Sequence, residues 1–541
     1  MRHEIDFVAG EITWKTEPLL CIPPMMRSIA AALLFALICH ANAGEAKPNI
    51  VLMVADDLGY GDLGSYGATK IKTPRVDELA AEGLRITDAH SISSVCDPSR
   101  YAILCGTYIW HARLESDYAL YFHDGQVTLP SLLKSAGYHT VALGKWHNGF
   151  GRGKDEPDWN GELKPGPLEI GFDYFFGTPR THDGPPLVFV ENHHVVGLDP
   201  ADPIRVDHSS QFGPRGKIVG GAKALAARPD DRIDFIVTDK AEKFIAEQTP
   251  KAPFFLYLAF TAPHVTINPA PEFRGKSEAG LYGDYVQQLD YCAGRVLAAL
   301  KEHGFEKNTL VIFTSDNGGV LFGNTIRTGH RANGKLLGQK TDVWEGGHRI
   351  PFIVRWPGHV PPGAVRKSLF TQVDIMATLA EAAHIKMPKG ASPDGTSELA
   401  AFTNAQKSPA KRKETAFLGT AGFALREGDW LYIPQQGSGG GTVPNRHSTS
   451  WKMLGFVNSD IDENGQIKPN APPDQLYNLA EDVSEAHNLT REYPDRATAM
   501  HARMHALQLD FTVLDAIGRV SKPRSPDTLP SDASMSPAPH D

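Results

Sequence analysis

Cys96 opens the run Cys96-Asp97-Pro98-Ser99-Arg100, and several other short segments carry the acids, bases and cations that chemistry at such a residue would need. Pro98 and the residues after it suit the first turn of a helix, whose free N–H groups favour an anion, and Arg100 adds a fixed cation beside the thiol. Asp56 with Asp57, and Asp316 with Asn317, offer three carboxylates and one amide oxygen. That is an all-oxygen donor set for a hard divalent cation, and spacing alone leaves calcium and magnesium both open. Lys145 with His147, and His264, add a cation and two groups able to move protons.

These residues need elements to bring them together. From Pro48 onward, short apolar runs alternate with helical patterns, which predicts an α/β fold with a mostly parallel sheet flanked by helices. Strands are expected at 49–55, 140–143, 253–260, 309–314 and 351–355. Thr73-Pro74 opens a helix with Val76, Leu79 and Ala80 on one face, and residues 285–301 place Val286, Leu289, Ala293, Val296 and Leu300 at helical spacing. Asp56-Asp57, Lys145 with His147, His264 and Asp316-Asn317 all stand just past the carboxyl ends of these strands. In open α/β sheets that edge binds ligands, so four separate segments point to one site. After about residue 410 the pattern changes to short strands, turns, a Gly-rich loop at 435–441 and a helical stretch near 493–510, a smaller C-terminal α+β subdomain.

The bulk properties set limits. A chain of 541 residues, 41% hydrophobic and 22% charged, has the length and composition for a large core. A net charge of -9 without basic blocks gives no support for nucleic-acid binding, so an anionic substrate must be held by a few placed cations. The only long apolar run, at 28–43, follows Arg27 and ends small-x-small at Ala43, which matches a cleaved secretory signal rather than a membrane span of about 20 apolar residues. Met25 or Met26 is the expected true start. The expected division is thus a signal at 1–43, a catalytic domain at 46–409, the C-terminal subdomain at 410–518 and a disordered tail at 519–541, in a protein exported to the periplasm or the medium. Of five cysteines, Cys21 and Cys39 fall in the signal, and the three that remain are too few for a disulfide framework.

The run from Cys96 to Arg100, followed by Leu104-Cys105-Gly106, resembles the signature of the type I sulfatases, and the likeness extends from Pro48 to about Leu489. The alkaline-phosphatase-like fold of that family is therefore expected. In the family this cysteine is oxidised to formylglycine (3-oxoalanine) by a maturation enzyme, so Cys96 is expected to be so modified. A hydrated aldehyde offers one hydroxyl to attack sulfur and a second to expel sulfate afterwards. The resemblance assigns one calcium ion to Asp56, Asp57, Asp316, Asn317 and the modified Cys96. Gly144-Lys145-Trp146-His147 and Ala262-Pro263-His264 match family segments. They imply that Lys145 stabilises the nucleophile and sulfate, that His147 takes a proton during sulfate elimination, and that His264 binds sulfate or protonates the leaving oxygen. The segment from Gly338 to Pro351 resembles the one bringing a second sulfate-binding lysine, here Lys340, while Glu345-Gly346-Gly347 reads as structural.

Two departures stand out. Cys105 occupies a position where the family commonly has threonine, leaving a core thiol or a pair with Cys292 as alternatives. Leu337 stands where related sequences often carry arginine. His182, Asp183, His330 and Asn333 lie in segments resembling the substrate-facing loops of sulfatases acting on sugars, so a sulfated sugar or polysaccharide is the expected substrate, leaning to galactose or N-acetylgalactosamine over steroids. A phosphatase of similar scaffold and a non-catalytic sulfated-glycan-binding protein are the rival readings; the first favours two-metal sites, the second a missing nucleophile or ligand.

Overall fold

The computed structural model describes residues 47–509, except residue 113, residues 210 and 212–215, residues 405–407, residues 441–450 and residue 452. The segments expected to be a signal, 1–43, and a tail, 519–541, and residue 441 of the Gly-rich loop lie outside the described residues. A ten-stranded sheet forms the centre. Its strands are β1 (Asn49–Ala55), β2 (Leu84–Ile86), β3 (His139–Gly144), β4 (Tyr174–Gly177), β5 (Val190–Glu191), β6 (His194–Val195), β7 (Phe254–Ala259), β8 (Thr309–Ser315), β9 (Phe352–Arg355) and β10 (Ala364–Arg366). They lie in the order β10-β2-β9-β8-β1-β7-β3-β4-β5-β6, and the run β8-β1-β7-β3-β4 is parallel throughout. The strand expected at 351–355 is present, but it joins antiparallel to β8.

β1 shows why the centre is parallel. All seven of its residues are buried, the continuous apolar run of a strand covered on both faces. Ile50, Leu52 and Val54 enter one hydrophobic cluster, and Val51, Met53 and Ala55 enter another, as a side-chain period of two requires. The second cluster takes in α1 (Pro74–Ala81), α3 (Ile233–Ala246) and α4 (Gly280–Glu302). The first takes in α2 (Cys96–Cys105) and α5 (Asp374–Ala382). Cys105 belongs to the first cluster and Cys292 to the second, and both are free thiols.

A second, antiparallel sheet of four strands follows: β11 (Glu414–Gly419), β12 (Gly422–Glu427), β13 (Trp430–Ile433) and β14 (Gln475–Asn478), with α6 (Pro494–Ala506) beside it. It abuts the chain that leads into Cys96: the Ser94 N–H donates to the Leu418 carbonyl at 2.9 Å, and the Leu418 N–H donates to the Ile92 carbonyl at 2.9 Å. Leu337 is buried in a cluster with Val343, Trp344 and Phe417, so an apolar contact stands where relatives often place a cation. No helix of the described residues is long and apolar enough to cross a membrane.

Candidate active site

The strand ladders run on past the strand ends and so draw the site together. The Asp56 N–H donates to the Ala262 carbonyl at 3.1 Å, the Asp316 N–H to the Ala55 carbonyl at 3.1 Å, and the Lys145 N–H to the Ala259 carbonyl at 2.8 Å. Asp57 then turns at φ 61 and His147 at φ 53, left-handed conformations uncommon outside glycine and held here by the surrounding structure. Asp56, Asp57, Asp316 and Asn317 are all buried.

Three cations face the three carboxylates. Arg100 meets Asp316 at 2.9 Å through Nε and 2.7 Å through Nη2, and its Nη2 lies 3.7 Å from Asp56 Oδ1. Lys145 Nζ donates to Asp56 Oδ2 at 2.6 Å, and Lys340 Nζ to Asp57 Oδ2 at 2.8 Å. Burial would raise all three carboxyls. Lys145 and Arg100 nevertheless hold Asp56 below its ordinary value, while burial pushes Asp57 up to about 6 and also raises Asp316.

Cys96 begins α2 behind an extended Val95 whose side chain makes no cap hydrogen bond. Its Sγ and one oxygen each of Asp56 and Asp316 lie within 4.8 Å of one another. Burial pushes the thiol up to about 11, so an unmodified Cys96 is a poor nucleophile. The donor set fits a hard cation on its own atoms. Asp56 Oδ1 and Asn317 Oδ1 are buried without a hydrogen bond, while Asn317 Nδ2 donates to Asp57 Oδ1 at 2.8 Å and so turns its oxygen the other way. The one soft atom beside these oxygens is the thiol sulfur.

His264 Nε2 stands 3.7 Å from Asp57 Oδ2, and Nδ1 is engaged by the Val265 carbonyl. Burial, then Lys340 and Lys145, drive His264 well below the ordinary histidine value. Burial and Lys145 do the same to His147, whose Nδ1 has no hydrogen bond. His182 joins the group, its ring 5.5 Å from that of His264 and its Nε2 3.2 Å from the Thr266 carbonyl; Asp183 follows it, half-buried.

His330 and Asn333 take other partners. His330 Nε2 lies 2.6 Å from Asp62 Oδ1, and Asp62 Oδ2 accepts from the Gly59 N–H and the Tyr282 hydroxyl. The Asn333 amide bonds Gly319 in both directions, at 2.9 and 3.0 Å, and donates to the Gly338 carbonyl. Both thus brace loops that carry site residues. Sequence reasoning missed Asp62 and Asp234. The latter accepts from the N–H groups of Thr261 and Ala262 at 2.8 and 3.0 Å and sets the turn before His264. Asp62 meets Tyr282 and His330, and Asp234 meets Thr261 and Ala262, from distant parts of the chain, so no local signal pointed to these roles.

A buried cysteine at a helix N-terminus, beside buried oxygens that could hold a cation and three positive side chains, is an arrangement suited to hydrolysis of anionic esters on an α/β sheet. Residues 48–385 match the family model described as Sulfatase, and the chain belongs to the sulfatase family, enzymes that hydrolyse sulfate esters. An N-acetylgalactosamine-6-O-sulfatase of Bacteroides thetaiotaomicron is 36% identical over 488 residues, spanning 83% of this chain and 91% of its own. A steryl-sulfatase of Mus musculus is 32% identical over 457 residues, 73% of this chain and 71% of its own. A solved structure of a Bacteroides thetaiotaomicron protein, from work on glycosaminoglycan metabolism, superposes with a TM-score of 0.75 at 34% identity, over 86% of this chain and all of that one.

Proposed function

We propose that the chain is an exported enzyme that removes sulfate from sulfated carbohydrates, of the galactose or N-acetylgalactosamine type, through a Cys96 oxidised to formylglycine. The observation that carries this is the placement of Cys96: at the uncapped start of α2, within 4.8 Å of Asp56 and Asp316, and ringed by Arg100, Lys145 and Lys340. The name of the Bacteroides relative supports the sugar class. The assigned division into a signal at 1–43, a catalytic domain at 46–409 and a C-terminal subdomain at 410–518 belongs to this reading.

Asp56, Asp57, Asp316 and Asn317 would hold the calcium ion, which supplies Lewis-acid charge beside the nucleophile. An aldehyde at position 96 would supply, once hydrated, an oxygen nucleophile in place of a thiol that burial keeps protonated. Arg100, Lys145 and Lys340 bind the sulfate and stabilise the charge that develops on it, the first two from buried positions where such contacts count most. His264 keeps its hydrogen on Nδ1 against the Val265 carbonyl, leaving Nε2 to take a proton when the sulfate anion offsets the neighbouring lysines, and to pass it to the leaving sugar oxygen. His147, neutral and with Nδ1 unengaged, takes up the proton released as sulfate departs.

Peptide mass spectrometry on protein co-expressed with a formylglycine-generating enzyme tests the reading. A loss of about 18 Da at Cys96, the thiol-to-aldehyde change, together with release of sulfate from N-acetylgalactosamine 6-sulfate, is the expected result. Modified protein that hydrolysed nitrophenyl phosphate faster than nitrophenyl sulfate, or a steryl sulfate faster than the sugar sulfate, would sink it.

A further inference from the structure

Away from the sulfate site, His90 and His348 meet in the interior, both fully buried. Their Nδ1 atoms lie 3.0 Å apart. On the far side of each ring, His90 Nε2 is 2.8 Å from Asp88 Oδ1 and His348 Nε2 is 3.1 Å from the Val343 carbonyl oxygen. A carbonyl only accepts. So does Asp88: burial would raise its carboxyl, yet Arg349 and Arg426 hold it far below the usual carboxylate range. Each Nε2 therefore carries its hydrogen. With both rings neutral, two nitrogen lone pairs would point at each other at hydrogen-bonding distance.

We propose that His90 and His348 share one extra proton in a buried N–H···N bond, three N–H groups among four ring nitrogens, and that this bond positions Cys96 and Lys340. A carboxylate faces His90 Nε2 at 2.8 Å while only a neutral carbonyl faces His348 Nε2, so the charge belongs on His90 as donor and His348 accepts. The surroundings accommodate the charge. Asp88 lies beside His90, and Glu345 sits between Arg349, on its Oε2, and Arg426, whose Nη1 is 3.7 Å from its Oε1. Glu485, raised by burial and by Glu345, accepts the Glu345 N–H at 3.0 Å. Tyr60 faces Arg349, and the Phe417 ring stacks on His348 with centroids 3.8 Å apart.

A metal ion is the competing occupant, since a Glu345 oxygen lies within 4.8 Å of both rings. The two arginines already pair with that carboxylate, and among the described residues the group offers three ligand atoms, one short of the four that a closed zinc site requires.

The pair joins the two segments that arm the active site. The Ser91 N–H donates to the His348 carbonyl at 2.9 Å and the Ile350 N–H to the Ala89 carbonyl at 3.0 Å. The Thr341 N–H, next to Lys340, donates to the Ser94 carbonyl at 2.8 Å. His90 and His348 are thus positioning residues, acting through the loop into Cys96 and the segment that bears Lys340.

Ring nitrogen NMR on full-length, mature protein labelled with 15N-histidine, with zinc measured by mass spectrometry, tests this. At neutral pH one histidine with both ring nitrogens protonated is expected, its signal lost in His90→Gln, kept in His348→Gln, whose amide oxygen can accept, and lost in His348→Phe. This arm holds whatever ester the site cleaves. The activity arm rests on the sulfatase reading: kcat/KM should stay close to wild type in His348→Gln and fall by about tenfold to a hundredfold in His348→Phe, as a shift in active-site geometry would produce. Two neutral rings with bare Nδ1 atoms, or one zinc per chain that disappears in His90→Gln, would overturn the proposal. If His348→Phe does not fold, the wild-type spectrum decides.

Discussion

Three buried carboxylates face three cations, Arg100 and Lys145 buried and Lys340 partly so, and make the candidate site self-neutralising before any ligand arrives. Lys145 and Lys340 each lie on a carboxylate that is also a metal ligand in our reading, so a cation that binds there frees the lysines to face an anion. His264 follows the same logic: burial first, and then the lysine charges that an anionic ester would cancel, keep it neutral. A test follows from its assigned role. In His264→Ala, hydrolysis of nitrophenyl sulfate, whose leaving group needs no proton, should drop much less than hydrolysis of a sugar sulfate, which should lose about a hundredfold to ten-thousandfold, the range for general acid catalysis. Equal losses on the two substrates would remove His264 from that role.

The elements contribute by where they stop. β3 ends at Gly144, φ +96, where a Cβ would fall 1.8 Å from the Ala259 carbonyl oxygen of β7. The next residue is Lys145, so this close approach sets the lysine's position. Gly144→Ala should cost about 3 kcal/mol or more in denaturant unfolding, combining left-handed strain with a backbone collision, and should cut turnover further through Lys145. Gly137→Ala is the control. Gly137 also has positive φ, +90, but nothing lies within 4 Å of its would-be Cβ, and the expected cost is about 1 kcal/mol. Similar costs at both sites would mean that the strand contact at Gly144 relaxes freely.

Across the whole molecule, two linkages to stability can be measured. Asp290 of α4 accepts the Arg75 and Val76 N–H groups at the start of α1, and burial raises its carboxyl from 3.8 to about 7. Folding therefore takes up a proton here. The contribution is complete below pH 3.8 and is lost as pH climbs through 7. Asp290→Asn keeps the acceptor oxygen and removes the ionisation, so at pH 8 it should be more stable than wild type, by up to about 4 kcal/mol, with little difference at pH 4. A variant no more stable at pH 8 than wild type would show the carboxylate to be well accommodated. The second linkage is to calcium. Chelation should lower the melting temperature and abolish turnover, and calcium should restore both, because an ion bound only by the folded site stabilises it by mass action. Unchanged melting after chelation would count against Asp56, Asp57, Asp316 and Asn317 as its ligands.

How much of this was legible in the sequence depends on the range of each signal. The run Asn49–Ala55 matched its strand end to end, because six consecutive apolar residues, too few for a typical helix and rich in β-branched side chains, suit a strand buried on both faces. The polar residues just beyond β1, β3, β7 and β8 marked the site by themselves, since parallel strands must put like ends together. Helix α3 and the antiparallel join of β9 to β8 were not read from the pattern. Nor could the roles of His330 and Asn333 be: in a list of loop residues they resemble substrate contacts, and only packing shows Asp62 and Gly319 as their partners. The separation of 258 positions between His90 and His348 makes the same point. Composition, side-chain period and motif are local and so determined the family, the sheet and the reactive edge, whereas which buried polar atoms meet depends on how distant segments pack, and that only the tertiary structure decided.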